Sequence, residues 1–157
     1  MIRMKWGAAL RLLTLLIFVL QSLTGCRAND PEAALKSAEQ ALIAALEARD
    51  ASRALEMLHP DFIARAPEQD RNWAKGAMRL MFVRHQKISI MVLTSARRIY
   101  PETPDRAMSE GEIALVGAEN LLPESLDRIQ VRLGWIKMDG EWKLLKLDWT
   151  DGVGRGL

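Results

Sequence analysis

Residues 129–149 read Ile129-Gln130-Val131-Arg132-Leu133-Gly134-Trp135-Ile136-Lys137-Met138-Asp139-Gly140-Glu141-Trp142-Lys143-Leu144-Leu145-Lys146-Leu147-Asp148-Trp149. Ile129, Val131, Leu133 and Trp135 alternate with Gln130, Arg132 and Gly134, the period of two that turns one side of a strand to a core and the other to solvent. Asp139-Gly140 is the strongest short hairpin signal, because the favoured turn needs positive φ at both central residues. Trp142, Leu144, Leu145, Leu147 and Trp149 then supply the return strand. Gly134 before the adjacent apolar pair Trp135 and Ile136 predicts a bulge or bend. A curved antiparallel sheet follows.

Working upstream, the same period begins at Lys87. Ile88, Ile90 and Val92 alternate with Ser89, Met91 and Leu93, and since both sets are partly apolar the strand is expected to be covered on both faces at first. Pro101 and Pro104 bracket a turn, and a further strand is expected over about 107–118. Before Lys87 the period is helical. Asp30-Pro31-Glu32 has the form of an N-cap, a proline at the first helical position and an acid in the first turn, and Leu35, Ala38, Leu42, Ala45 and Leu46 recur at helical spacing to about Arg49. Asp50 caps a short helix over 51–58, which Pro60 forbids from continuing, with Asp61, Phe62 and Ile63 as its exit. A third helix runs from Asp70 through Trp73, Ala77, Met78, Leu80 and Met81 to about Arg84. It is apolar on more than one side and is expected to be largely buried. The chain shows no internal repeat, and its glycine-rich end is expected to fray.

Composition bounds the rest. The 157 residues suffice for one domain of ordinary size, and 49% apolar with 27% charged residues is the balance of a folded globular protein. Cys26 is the only cysteine, so no intramolecular disulfide and no cysteine-rich metal site can form. No cofactor is expected. Arg3, Lys5 and Arg11 are the only basic residues before Cys26, and the other 19 stand against 20 acidic residues. The remainder of the chain is near neutral and lacks the long basic run that a nucleic-acid partner needs.

Residues 1–25 have the build of an export signal: basic Arg3 and Lys5, the apolar run from Leu12 to Leu20, and small residues near the cut. The run is short for a membrane span of roughly 20 apolar residues. It ends in Leu23-Thr24-Gly25-Cys26, which resembles the lipobox of bacterial lipoproteins. That resemblance implies diacylglyceryl transfer to Cys26, cleavage after Gly25 and acylation of the new amino group. Two or three acyl chains anchor a protein stably to a bilayer without a transmembrane helix. Arg27, in place of the acidic residue that usually retains such proteins at an inner membrane, favours an outer membrane and a periplasmic domain. Residues 26–30 form a short tether, 31–150 the domain and 151–157 a tail.

Three helices followed by a long curved sheet define an α+β fold. The first helix to Arg49, then Ala54-Leu55 leading to His59-Pro60-Asp61-Phe62, and Asp139-Gly140-Glu141-Trp142-Lys143-Leu144 resemble the nuclear transport factor 2-like superfamily, also called the cystatin-like cone. The resemblance implies a sheet wrapped around helices with a pocket at the wide end of the cone. Members include isomerases, dehydratases, hydrolases and cyclases of small apolar molecules, and others that only bind ligands or partners, so the fold does not choose among them.

Candidate chemistry is sparse. His59 and His85 are the only histidines, and His59 with Asp61 could form a histidine–carboxylate dyad, although a histidine near a helix end also suits the dipole. Glu110 and Glu112 share a strand face about 7 Å apart, a spacing that fits acid–base work and equally fits a solvated face. Arg98 and Tyr100 continue the phase of Ile88, Ile90 and Val92 if no bulge intervenes, which would place them at a pocket mouth able to take an anionic group. Trp73 and Trp135, with Trp142 and Trp149, could stack on rings, and each also stands where a core residue is needed.

The reading that follows is a lipoprotein anchored through acylated Cys26, with a non-catalytic domain that binds a small apolar ligand or a protein partner. The alternative is an enzyme of the isomerase or hydrolase type using His59 or a pocket carboxylate. A sheet-to-sheet homodimer through an apolar strip of Ile136, Met138, Leu145 and Leu147 is also expected.

Overall fold

In the computed structural model, which describes residues 30–117 and 127–151, α1 (Pro31–Glu47) begins at the proline that pre-sets its first φ. The export segment, Gly25, Cys26 and the tail beyond Asp151 lie outside the described residues. Leu35 and Ala45 on α1 are fully buried. The helix closes with Arg49 in the left-handed region at φ 58°, and the Asp50 N–H donates to the Ala45 carbonyl at 2.9 Å. Glycine normally takes that position. Here the arginine turns its side chain to use, donating from Nη2 to the Phe82 carbonyl and from Nη1 to the Gln86 carbonyl at 3.3 Å. A cation at the end of another helix meets its partial negative charge, so the end of α1 is clamped to the end of α3 (Arg71–Arg84).

Asp50 also caps α2 (Ala51–Glu56), accepting from the Arg53 N–H at 3.0 Å. This helix ends two residues before the expected Leu58, because Leu58 starts β1 (Leu58–Ile63), a strand paired parallel to the strand Glu141–Asp151. The stretch expected to be a simple exit is therefore part of the sheet. Pro60 is tolerated there because β1 lies at a sheet edge. Asp70 caps α3, its Oδ1 accepting from the N–H groups of Asn72 and Trp73, both at 2.9 Å. α3 buries one face only, through Ala74, Met78 and Phe82, while Leu80 and Val83 remain exposed.

The sheet is completed by β2 (Ile88–Tyr100), β3 (Thr103–Gly117), β4 (Asp127–Met138) and β5 (Glu141–Asp151), in the order β1-β5-β4-β3-β2. β3 begins earlier than expected, and a register shift between Ile99 and Tyr100 accommodates Pro104 within it. The β4–β5 turn has Asp139 at φ 53° and Gly140 at φ 84°, the conformation its sequence demands. At the turn, a hydrogen bond from Lys143 Nζ, and next its charge, hold the Glu141 carboxyl below its usual range.

Two bulges bend the sheet. Trp135 pairs with Leu144 and Gly134 with Lys146, so the irregularity expected near Gly134 inserts its extra residue, Leu145, on β5. The other lies on β2, where Val92 pairs with Ile113 and Thr94 with Glu112, leaving Leu93 as the extra residue. β2 is not covered on both sides here, since Met91 and Leu93 are exposed. As an edge strand it is tied to α1 instead: Glu47 Oε1 accepts the Ile90 N–H at 2.8 Å.

Candidate ligand site inside the cone

The register converts the strand sequences into rows of side chains across the helix-facing side of the sheet. One row is Ile99, Ala107, Trp135 and Leu144; the next is Arg97, Ser109, Leu133 and Leu147; the third is Ser95, Gly111, Val131 and Trp149. Burial changes along them. Ala107, Trp135 and Leu144 are buried, Leu133 and Leu147 are partly exposed, and Ser95 is exposed. The interior is thus sealed at the first row and opens towards the third, with Arg97 and Ser109 at the transition.

Polar groups sit at that transition. The Trp135 Nε1–H donates to Ser109 Oγ at 2.9 Å with both residues buried, which satisfies the one polar atom of the indole. Next to Ser109, Arg97 meets Glu39 of α1. Both Nε and Nη2 donate to the same carboxylate oxygen, Oε2, at 2.8 and 2.5 Å. The pair is largely withdrawn from water, with side-chain exposures of 16% for Arg97 and 11% for Glu39. Glu39 Oε1 is buried and has no hydrogen-bond partner. Leaving a buried acceptor unsatisfied costs about 1–3 kcal/mol, and more for a charged one.

Neither partner of this pair stands among the residues singled out from sequence. Glu39 lies four residues after Leu35 and three before Leu42, so an acid interrupting the apolar stripe of α1 was the available signal. Arg97 was hidden by the β2 bulge. Arg98 and Tyr100 would face inward only on an unbulged strand, and the extra residue Leu93 turns Arg97 and Ile99 inward and Arg98 and Tyr100 outward.

Tyr100 therefore lines a depression of about 340 Å³ on the opposite side of the sheet, together with Arg106, Met108, Arg132 and Lys146 over Gly134. The same outer side carries Glu110 and Glu112, which pair with Arg132 at 2.5 Å and Arg128 at 3.6 Å. They serve as a solvated cross-strand ladder. The β5 bulge also takes Leu147 out of the expected outer strip and packs it against the core, leaving Ile136, Met138 and Leu145 on that side.

His59 is on β1, where its Nδ1 accepts the Asp61 N–H at 3.1 Å, and the Asp61 carboxylate is 3.9 Å away with an exposed side chain. Because Nδ1 is an acceptor, the ring proton of the neutral form sits on Nε2, the reverse of a dyad in which the carboxylate orients Nδ1–H. His85 is exposed at the end of α3. Trp135 is core, whereas Trp73 is 37% exposed and stacks on Trp149 with ring centroids 6.4 Å apart. Arg65 lies over the Trp149 ring at 5.1 Å. Among the described residues no group of His, Cys, Asp and Glu could hold a metal ion, and no helix is long and apolar enough to cross a membrane.

No protein-family model matches the chain, and no curated protein matches it in sequence. Its fold is nevertheless shared widely. It is similar to Bd1075 from Bdellovibrio bacteriovorus with a TM-score of 0.65 at 11% identity, over 77% of this chain but only 40% of that one. A nuclear transport factor 2-like protein of unknown function from Pseudomonas putida superposes with a TM-score of 0.65 at 10% identity, over 76% of this chain and 85% of the other. A hexachlorocyclohexane dehydrochlorinase from Novosphingobium barchaimii gives 0.62 at 14% identity, over 81% and 93%. The fold is that of the nuclear transport factor 2-like, or cystatin-like, cone.

Proposed function

We propose that the chain is an exported bacterial lipoprotein, held to an outer membrane through acylated Cys26, whose cone-shaped domain binds a small molecule on the periplasmic side. The anchoring half rests on the signal segment and on Leu23-Thr24-Gly25-Cys26. The binding half rests on one observation: an ion pair, Glu39–Arg97, set inside the cone where its apolar interior opens. Replacing a buried ion pair with well-packed apolar residues is often neutral or stabilising, so such a pair is poorly explained as a device of the fold. A charged pair amid apolar walls is how a ligand site fixes orientation.

The test is native mass spectrometry of protein released gently from its own membranes. Wild type should carry a bound small molecule that the double variant Glu39→Leu/Arg97→Met lacks. Bare protein in both, or the same adduct on both, would sink the proposal.

A second reading is enzymatic, and Glu39 is what favours it. Its Oε1 has no hydrogen-bond partner, and it would act as a general base only once a small apolar substrate displaced the side chains that cover it. The dehydrochlorinase of the same fold makes elimination of a halide a concrete reaction to assay.

A further inference from the structure

The depression of about 340 Å³ on the outer side of the sheet owes its room to one residue. Met108, Gly134 and Lys146 stand side by side across β3, β4 and β5, and the middle one has no side chain. Arg106 lies two residues from Met108 on β3, and Arg132 two residues from Gly134 on β4, on opposite sides of that row. Three strands thus each bring a cation to the rim of the space that Gly134 leaves. Met108 and Leu145 supply apolar lining, and the volume falls in the range of small-molecule sites, about 300–1,000 Å³.

The charges around it do not cancel. Arg132 donates to Glu110 at 2.5 Å and Lys146 lies 3.2 Å from Asp148, whereas Arg106 has neither a hydrogen bond nor an ion pair among the described residues. Three cations against two acids leave one positive charge over. Arg132 and Lys146 are exposed, and exposed ion pairs contribute little, so both cations can turn towards a ligand at small cost. The Tyr100 hydroxyl is in a similar position, since its acceptor is the Met108 sulfur at 3.8 Å, a weak one.

Separately from the reading of the cone interior, we infer that this depression is a second binding site, for a small monocarboxylate with an apolar body. The Arg106 guanidinium presents two parallel N–H groups that match a carboxylate, and its unmatched charge meets the single negative charge of the ligand. Lys146 and the Tyr100 hydroxyl add donors. The body of the ligand lies over Gly134 against Met108 and Leu145.

Benzoate, benzamide and benzylamine share a ring and differ in charge, and each is titrated by NMR into the isotope-labelled full-length chain held in a neutral detergent. Benzoate should shift the amides of Met108, Gly134 and Lys146 and bind at least tenfold tighter than the other two. Arg106→Gln should remove that preference with the rest of the spectrum unchanged, because this side chain has no partner to lose. Arg106→Lys, which keeps the charge without the fork, should retain part of it. No shift at those three amides, equal affinity for benzoate and benzamide, or a preference that survives Arg106→Gln would each overturn the inference. Benzoate shifts confined to Leu133 and Leu147 would also overturn it, by moving the ligand into the cone.

Discussion

Gly111 and Thr94 approach so closely that a Cβ on the glycine would lie 2.4 Å from the Thr94 carbonyl oxygen. This contact is at the β2 bulge, and the bulge is what turns Arg97 inward to meet Glu39. A glycine on β3 thus sets the face on which an arginine of β2 appears.

Gly111→Ala should therefore destabilise the domain by about 1–3 kcal/mol, since backbone rather than a movable side chain must give way. It should also weaken the Arg97–Glu39 contact more than a mutation elsewhere on β3 would. Denaturant unfolding measures the first effect, and the guanidinium NMR signal of Arg97 the second. Unchanged stability would mean that the bulge is not fixed by this glycine.

This relationship also marks the limit of what the sequence discloses. The caps at Asp50 and Asp70, the start at Pro31 and the Asp139-Gly140 turn are legible because each is a local demand on a few neighbouring residues. The phase of Arg97 is not local. It depends on one extra residue, Leu93, whose insertion is matched by a glycine on the neighbouring strand, and periodicity counted along β2 alone gives the wrong face. β1 was missed for a similar reason. Its pairing partner is β5, more than eighty residues away, and Pro60 reads locally as a breaker.

Ser109→Ala should cost about 1–3 kcal/mol, because the buried Trp135 N–H loses its acceptor. Trp135→Phe should cost less in that background than in wild type, since the ring then has no polar atom whose lost partner matters. A double-mutant cycle with no coupling between the two positions would show that the hydrogen bond carries no weight.

Gly140→Val places a β-branched residue at φ 84° in the β4–β5 turn, and about 1–3 kcal/mol of stability should be lost. No heavy atom outside its chain neighbours lies within 4 Å of a Cβ built there, so the loss is one of backbone conformation and not of space. Gly140→Asn, a residue that tolerates the left-handed region, should recover most of it. Thermal unfolding of both variants decides the matter.

Cys26→Ser should abolish lipid attachment in the full-length chain, because a hydroxyl cannot replace the thiol in diacylglyceryl transfer. Metabolic labelling with a fatty-acid analogue reads this directly. Label retained by the serine variant would refute the anchoring half of the proposal and leave the cone untouched.

The central claim is that Glu39 and Arg97 are kept for a ligand and not for the fold, and one measurement reaches it most directly: the melting temperature of wild type and of Glu39→Leu/Arg97→Met, each with and without millimolar indole as a small, uncharged, mostly apolar probe. A ligand that binds only the native state raises stability by RT ln(1 + [L]/Kd), so the indole shift reports affinity at this site. The double variant should melt at or above wild type without indole and gain clearly less when indole is added. A double variant that melts well below wild type, yet gains from indole as much as wild type does, would contradict it.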